Sequence, residues 1–217
     1  MKILFTGIFV LCLTSAVYAT QQSDNDRFFS QISSLPFASK QLVEKYSWHP
    51  GCPVAPSELA YVKLSYWGFD NRPHRGVLIV NQQVAPEVVT IFADLFREKF
   101  PIQKMIPADF YQGSDAKIMA DNDTSAFLCR AMTENPRRLS THSYGIAIDI
   151  NPKQNPFVPQ KSKSAKTKAF ADRGAWHRGM IVQGDATYQA FIQRGWSWGG
   201  DWRNPKDYQH FELHNQN

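Results

Sequence analysis

Two histidines and two aspartates in this chain have the types and spacing that chemistry needs. His142 and Asp149 lie seven positions apart in RRLSTHSYGIAIDINP (137–152), and Asp207 precedes His210 by three in DYQHFEL (207–213). Asp149 sits in a run that otherwise reads as a buried strand. An unpaired interior carboxylate costs several kcal/mol or takes up a proton, so Asp149 requires a partner. Two imidazoles and one carboxylate form a common zinc set, with the fourth position left to water in catalytic sites. A further carboxylate then accepts the water's proton. Asp207 and Glu212, the latter on the same strand face as His210, are both candidates for that role. The structural alternatives are hydrogen-bonded core or surface histidines, and an Asp149 that caps a helix or pairs with Arg130.

These residues need elements to hold them. In SYGIAIDIN, alternation places Tyr144, Ile146, Ile148 and Ile150 on one strand face, with Gly145, Ala147, Asp149 and Asn151 on the other. His142 then has the wrong parity to meet Asp149, so the chain must bend at Gly145 or in the STH approach. HFEL suits a short strand with His210 and Glu212 on one face, and a turn before it would bring Asp207 over the same centre.

Upstream, YVKLSYWGF (61–69) alternates as a strand with one wet face. FDNRPHRG reads as a turn, and GVLIVN (76–81) as the returning strand of a hairpin. Phe28, Ile32 and Leu35 have helical spacing, with Ser23 and Asp24 as possible caps and Pro36 as the stop. APEVVTIFADLFREKF predicts an amphipathic helix over 86–100, IQKMI (102–106) a strand, and DATYQAFIQR a helix from Asp185 that stops at Gly195. Residues 153–173, with KSKSAKTK, read as a long basic surface loop: a rim of the site or merely solvated. Together these elements predict an α+β fold: a small, mainly antiparallel sheet carrying the site, helices packed on one side, and long surface loops.

The first 19 residues, a basic start, an apolar run and VYA ending at Ala19, have the form of a cleaved secretory leader. This predicts export to the periplasm or beyond, with one domain over 20–217 and no stable membrane insertion. The formal charge of +5, of which Lys2 would leave with the leader, suits anionic wall polymers and is too small to argue for nucleic acid. Cys52 and Cys129, exported together, are either a disulfide or a buried free pair. Trp198 and Trp202 flank GGD and either line a glycopeptide site or are buried. His49, His74, His177 and His214 read as surface or turn residues.

Ser140-x-His142-x-x-Gly145-x-Ala147-x-Asp149, followed by Asp207-x-x-His210, resembles the zinc peptidases of the D-alanyl-D-alanine carboxypeptidase and L-alanyl-D-glutamate peptidase family. These are the VanX- and VanY-type enzymes and related phage endolysins, in the superfamily that includes lysostaphin and the hedgehog signalling domain. GFDNRPHRGVLIVN, FPIQKM, NDTSAFLCR, GWSWGGDW and DYQHFE follow that family's order over roughly 48–213. The resemblance implies one zinc ion held by His142, Asp149 and His210, Asp207 as general base, and Arg130 as the group that polarises the carbonyl. It also implies that Ser140 orients a ligand or touches substrate, with Trp202 at the cleft. The implied activity is hydrolysis of peptidoglycan stem peptides, as a carboxypeptidase or an L-Ala-D-Glu endopeptidase, by a monomer. The alternative is a non-catalytic, zinc-containing wall-binding or signalling module of the same fold.

Overall fold

A computed structural model describes residues 27–159 and 168–214. The leader, the proposed caps Ser23 and Asp24 and most of KSKSAKTK lie outside the described residues. In chain order the strands are β1 (Ser30–Ser34), β2 (Leu59–Trp67), β3 (Pro73–Asn81), β4 (Ala147–Asp149), β5 (Phe157–Val158), β6 (Ser197–Trp198), β7 (Lys206–Asp207) and β8 (His210–Glu212). The helices are α1 (Phe37–Leu42), α2 (Ala85–Arg97), α3 (Asp115–Ala120), α4 (Lys168–Ala171) and α5 (Ala186–Ile192). The strands make three antiparallel sheets, ordered β1-β2-β3, β4-β8-β6 and β5-β7. The architecture is α+β.

The hairpin β2–β3 forms where alternation predicts it, in register from Leu59↔Asn81 to Trp67↔Pro73. Its turn is shorter than FDNRPHRG, because Pro73, His74 and Arg75 already belong to β3. The helix α2 begins at Ala85 with Pro86 in its first turn and buries Val88, Ile91, Phe92, Leu95 and Phe96. Val88, Ile91, Phe92 and Leu95 join Val62, Leu64, Leu78 and Val80 from the hairpin, Ile148 and Phe211 from the second sheet, and Phe191 from α5 in one core. Full burial of a side chain of this size contributes about 1.5–3 kcal/mol, so α2 is anchored by its apolar stripe. Asp185 caps α5, accepting from the Tyr188 amide.

Three expectations are corrected. Residues 28–35 are not helical: Ser30–Ser34 pairs with β2 from Ser30↔Leu64 to Ser34↔Ala60. The open edge of β2 supplies a ladder of backbone partners, whereas Ile32 is 45% exposed, so the helical spacing had no apolar face to bury. IQKMI forms no strand. Pro101 and Pro107 bracket it, and its bonds go to different neighbours, with Val77 N–H donating to Met105 O and Thr124 N–H to Lys104 O. SYGIAIDIN is a strand only at Ala147–Asp149: Thr141–Tyr144 is a 3₁₀ turn, Tyr144 lines a cleft, and Ile146 lines the cleft while packing against the core that holds Ile148 and Ile150.

Candidate metal centre and cleft

The bend between His142 and Asp149 falls at Gly145, which closes the 3₁₀ turn in the left-handed conformation at φ 68°. A Cβ there would stand 2.6 Å from the Asn81 amide nitrogen, which donates to Gly145 O. Glycine is therefore required both by the backbone angle and by the hairpin packed against it. Ser140 caps the turn, its Oγ accepting from the His142 amide at 3.3 Å. Asp149 and His210 are direct cross-strand partners in β4 and β8, so their side chains leave the sheet on one face. Two residues beyond β4, Asn151 turns the chain at φ 47°, its side chain donating to Pro101 O and accepting from the Gln103 amide.

The three donors converge. His142 Nε2 lies 3.2 Å from His210 Nδ1 and 3.2 Å from Asp149 Oδ1, and His210 Nδ1 lies 2.9 Å from the same oxygen. A tetrahedral zinc with ligand bonds of about 2.0–2.1 Å has ligand–ligand edges of roughly 3.3 Å, so this spacing already matches one face of such a site. All three side chains are buried. The far nitrogen of each ring is also engaged. His142 Nδ1–H donates to Ala126 O at 2.5 Å, while His210 Nε2–H faces Glu212 Oε2 at 3.1 Å, with Thr141 Oγ1 at 3.4 Å. These outer contacts orient both rings so that a bound metal would displace the proton from the converging nitrogens and take their lone pairs. The donor set, its spacing and its outer partners fit a zinc ion.

The electrostatics reflect this crowding. Burial opposes ionisation of Asp149, but the two imidazoles outweigh it and hold its carboxyl far below the usual range. Burial pulls His210 down, yet its bonds to Asp149 and Glu212 raise it to about 10. Asp207 is pushed up to about 7, first by burial and then by the charge of Asp149. Its backbone amide bonds to Gly199 O, and a Cβ on Gly199 would meet Asp207 O at 2.5 Å, so the GGD glycine lets this segment close against the sheet. Asp207 Oδ1 is buried without a hydrogen-bond partner.

Around the centre lies a cleft of about 830 Å³. Arg130, Ser140, His142, Trp202, Asp207, His210 and Glu212 all line it, as do Asp115 and Phe157, which the sequence reading did not single out. Trp202 packs its ring 5.4 Å from that of His210, whereas Trp198 is buried with its N–H on Tyr208 O. Asp149 does not pair with Arg130, whose guanidinium meets Asp115 instead, at 3.2 Å. Glu212 lies on the outward side of His210, away from the converging donors.

A second cluster of three donor residues brings His49 together with Cys52 and Cys129. The two cysteines are joined as a disulfide, and His49 Nε2 lies 3.6 Å from Cys129 Sγ. His49, His74 and His214 are exposed, and His214 also borders the cleft.

Residues 133–213 match the family described as D-alanyl-D-alanine carboxypeptidase. The match takes in His142, Asp149, Asp207 and His210 and begins three residues after Arg130. No curated protein and no solved structure matches the chain.

Proposed function

We propose, from the match of residues 133–213 to the family described as D-alanyl-D-alanine carboxypeptidase, that the protein is an exported zinc peptidase acting on peptidoglycan stem peptides. The observation that carries this reading is the 2.9–3.2 Å triangle of His142, Asp149 and His210 donors beside the orphaned carboxylate oxygen of Asp207. A zinc ion held by those three residues would supply Lewis acidity, polarising the scissile carbonyl and acidifying water. Asp207, which exchanges its proton near neutral pH, takes the proton from the attacking water and returns it to the leaving amine. Arg130 donates to the oxyanion that develops on the carbonyl oxygen. Ser140 holds the turn that presents His142. Trp202 packs beside His210 and forms one wall for substrate. The catalyst works as a monomer, and no covalent intermediate is required.

The single test is Asp207→Asn. It should retain one zinc per chain while kcat on purified muropeptides falls by at least about 10²-fold, the scale expected of a lost general base. Turnover at the parent rate by this variant would remove Asp207 from the reaction. Mass spectrometry of the parent enzyme's products identifies the bond: loss of one D-Ala marks a carboxypeptidase, and release of the stem an endopeptidase. A zinc-loaded protein that binds wall fragments without cleaving them would point to the non-catalytic module.

A further inference from the structure

Arg130 is held from several sides. Its amide donates to Ser143 Oγ at 3.0 Å, and the same hydroxyl donates back to Arg130 O at 2.9 Å, alongside the Ser140 amide. Ser143 and Ser140 belong to the turn that carries His142, so the arginine backbone is locked to the metal centre. The guanidinium has five N–H donors in a rigid fork. Nη1 donates to Ala131 O at 3.2 Å and Nη2 reaches Asp115 Oδ1 at 3.2 Å, while Nε is buried with no partner. An unpaired buried donor is costly, so a well-packed protein keeps one where something else arrives to accept from it.

Asp115 stands at the start of α3, which the main-chain motifs do not touch, and it lines the same cleft as Asp207 and His210. Its carboxylate does two things to Arg130. It fixes the plane of the guanidinium, and it counters the charge before substrate enters. A free guanidinium in a cleft is a site for carboxylates; one already paired is better suited to a neutral carbonyl whose oxygen becomes negative only during reaction.

We infer that Asp115 is a positioning residue: it commits Arg130 to the developing oxyanion by orienting the guanidinium and by denying its charge to free carboxylates. This inference rests on the proposed role of Arg130. Two variants isolate it, Asp115→Asn and Asp115→Glu, each checked for one bound zinc and an unchanged melting temperature. In Asp115→Asn, kcat should fall roughly tenfold or more while KM changes far less, the split expected when a transition-state contact is lost. Asp115→Glu should recover most of the rate.

The second readout needs no turnover. Acetate is titrated while the Arg130 Nε–H resonance is followed in isotope-labelled, zinc-loaded protein. Acetate should leave that resonance unmoved in the parent and shift it in Asp115→Asn, which should also become more sensitive to acetate inhibition. In the double variant Asp115→Asn/Arg130→Gln, the added inhibition should vanish. An Asp115→Asn enzyme with parental kcat and no acetate response overturns the inference, as does an acetate effect that survives in the double variant. A parent protein that hydrolyses no muropeptide counts against the proposed function instead, and the acetate titration then still decides the pairing.

Discussion

Two clusters of three potential donors occur among the described residues, and only one of the two has the form of a metal site. His142, Asp149 and His210 come from a turn and two paired strands, are buried, and have their outward ring nitrogens occupied by Ala126 O and Glu212. His49, Cys52 and Cys129 lie equally close together, but the sulfurs have spent their valence on each other and His49 is exposed on a loop. Proximity of ligand types is therefore a weak criterion. What separates the clusters is whether lone pairs remain free and whether a second layer aims them.

The strongest way to break this comparison is to delete one donor from each cluster. His210→Ala or His142→Ala should lower zinc affinity by about 10³-fold or more and abolish peptidase activity, because the remaining donors no longer enclose the ion. His49→Ala should leave zinc stoichiometry, measured by elemental analysis, at the parental value. Equal zinc loss in both would erase the distinction.

Next in size is the covalent cluster. Cys52 and Cys129 are 77 residues apart, and closing a loop of that length constrains the unfolded chain by about 4 kcal/mol in the chain-entropy picture. Cys52→Ser with Cys129→Ser should therefore lower urea-unfolding stability by several kcal/mol yet still bind one zinc. Glu212→Gln sharpens the other side: weakening the carboxylate behind His210 should cost about 10–100-fold in zinc affinity at nearly unchanged fold stability. A loss of catalysis at full zinc occupancy would instead return Glu212 to candidacy as the base.

The smallest effect on the metal centre concerns a buried carboxyl under the disulfide region. Asp109 accepts from Ser47, whose carbonyl receives the Cys129 amide, and burial pushes its carboxyl up to about 6. A carboxyl whose pKa is raised on folding holds its proton longer in the native state. Stability is therefore lost as pH rises from about 4 through 6, by roughly 3 kcal/mol. Asp109→Asn should flatten that decline in unfolding free energy and leave zinc affinity unchanged. A slope identical to the parent's would show that Asp109 is not its source.

Much of the candidate site was legible because metal chemistry restricts residue type and the strand period restricts facing. The parity conflict between His142 and Asp149 required a bend, and Gly145 provides it. HFE forms the short strand that presents His210 and Glu212 together. The α+β hairpin and α2 followed equally from alternation and an apolar stripe. What stayed hidden depends on tertiary partners. Nothing in GSDAKIMA signals that Asp115 meets Arg130, since the pair forms only when α3 and the 125–130 segment come together at the cleft. Glu212 shares a face with His210, but sharing a face does not reveal which ring nitrogen it meets. Residues 30–34 became a strand because β2 had an open edge, a fact about their neighbour.

The position of the disulfide has a consequence for order of assembly. The ring it closes runs from Cys52 to Cys129 and contains β2, β3, α2 and α3, but none of the three metal donors. Oxidation therefore does not have to wait for metal. The chain can enclose the β2–β3 hairpin, α2 and the segment leading to Arg130 in one covalent ring, and then fold the donor-bearing C-terminal strands against it.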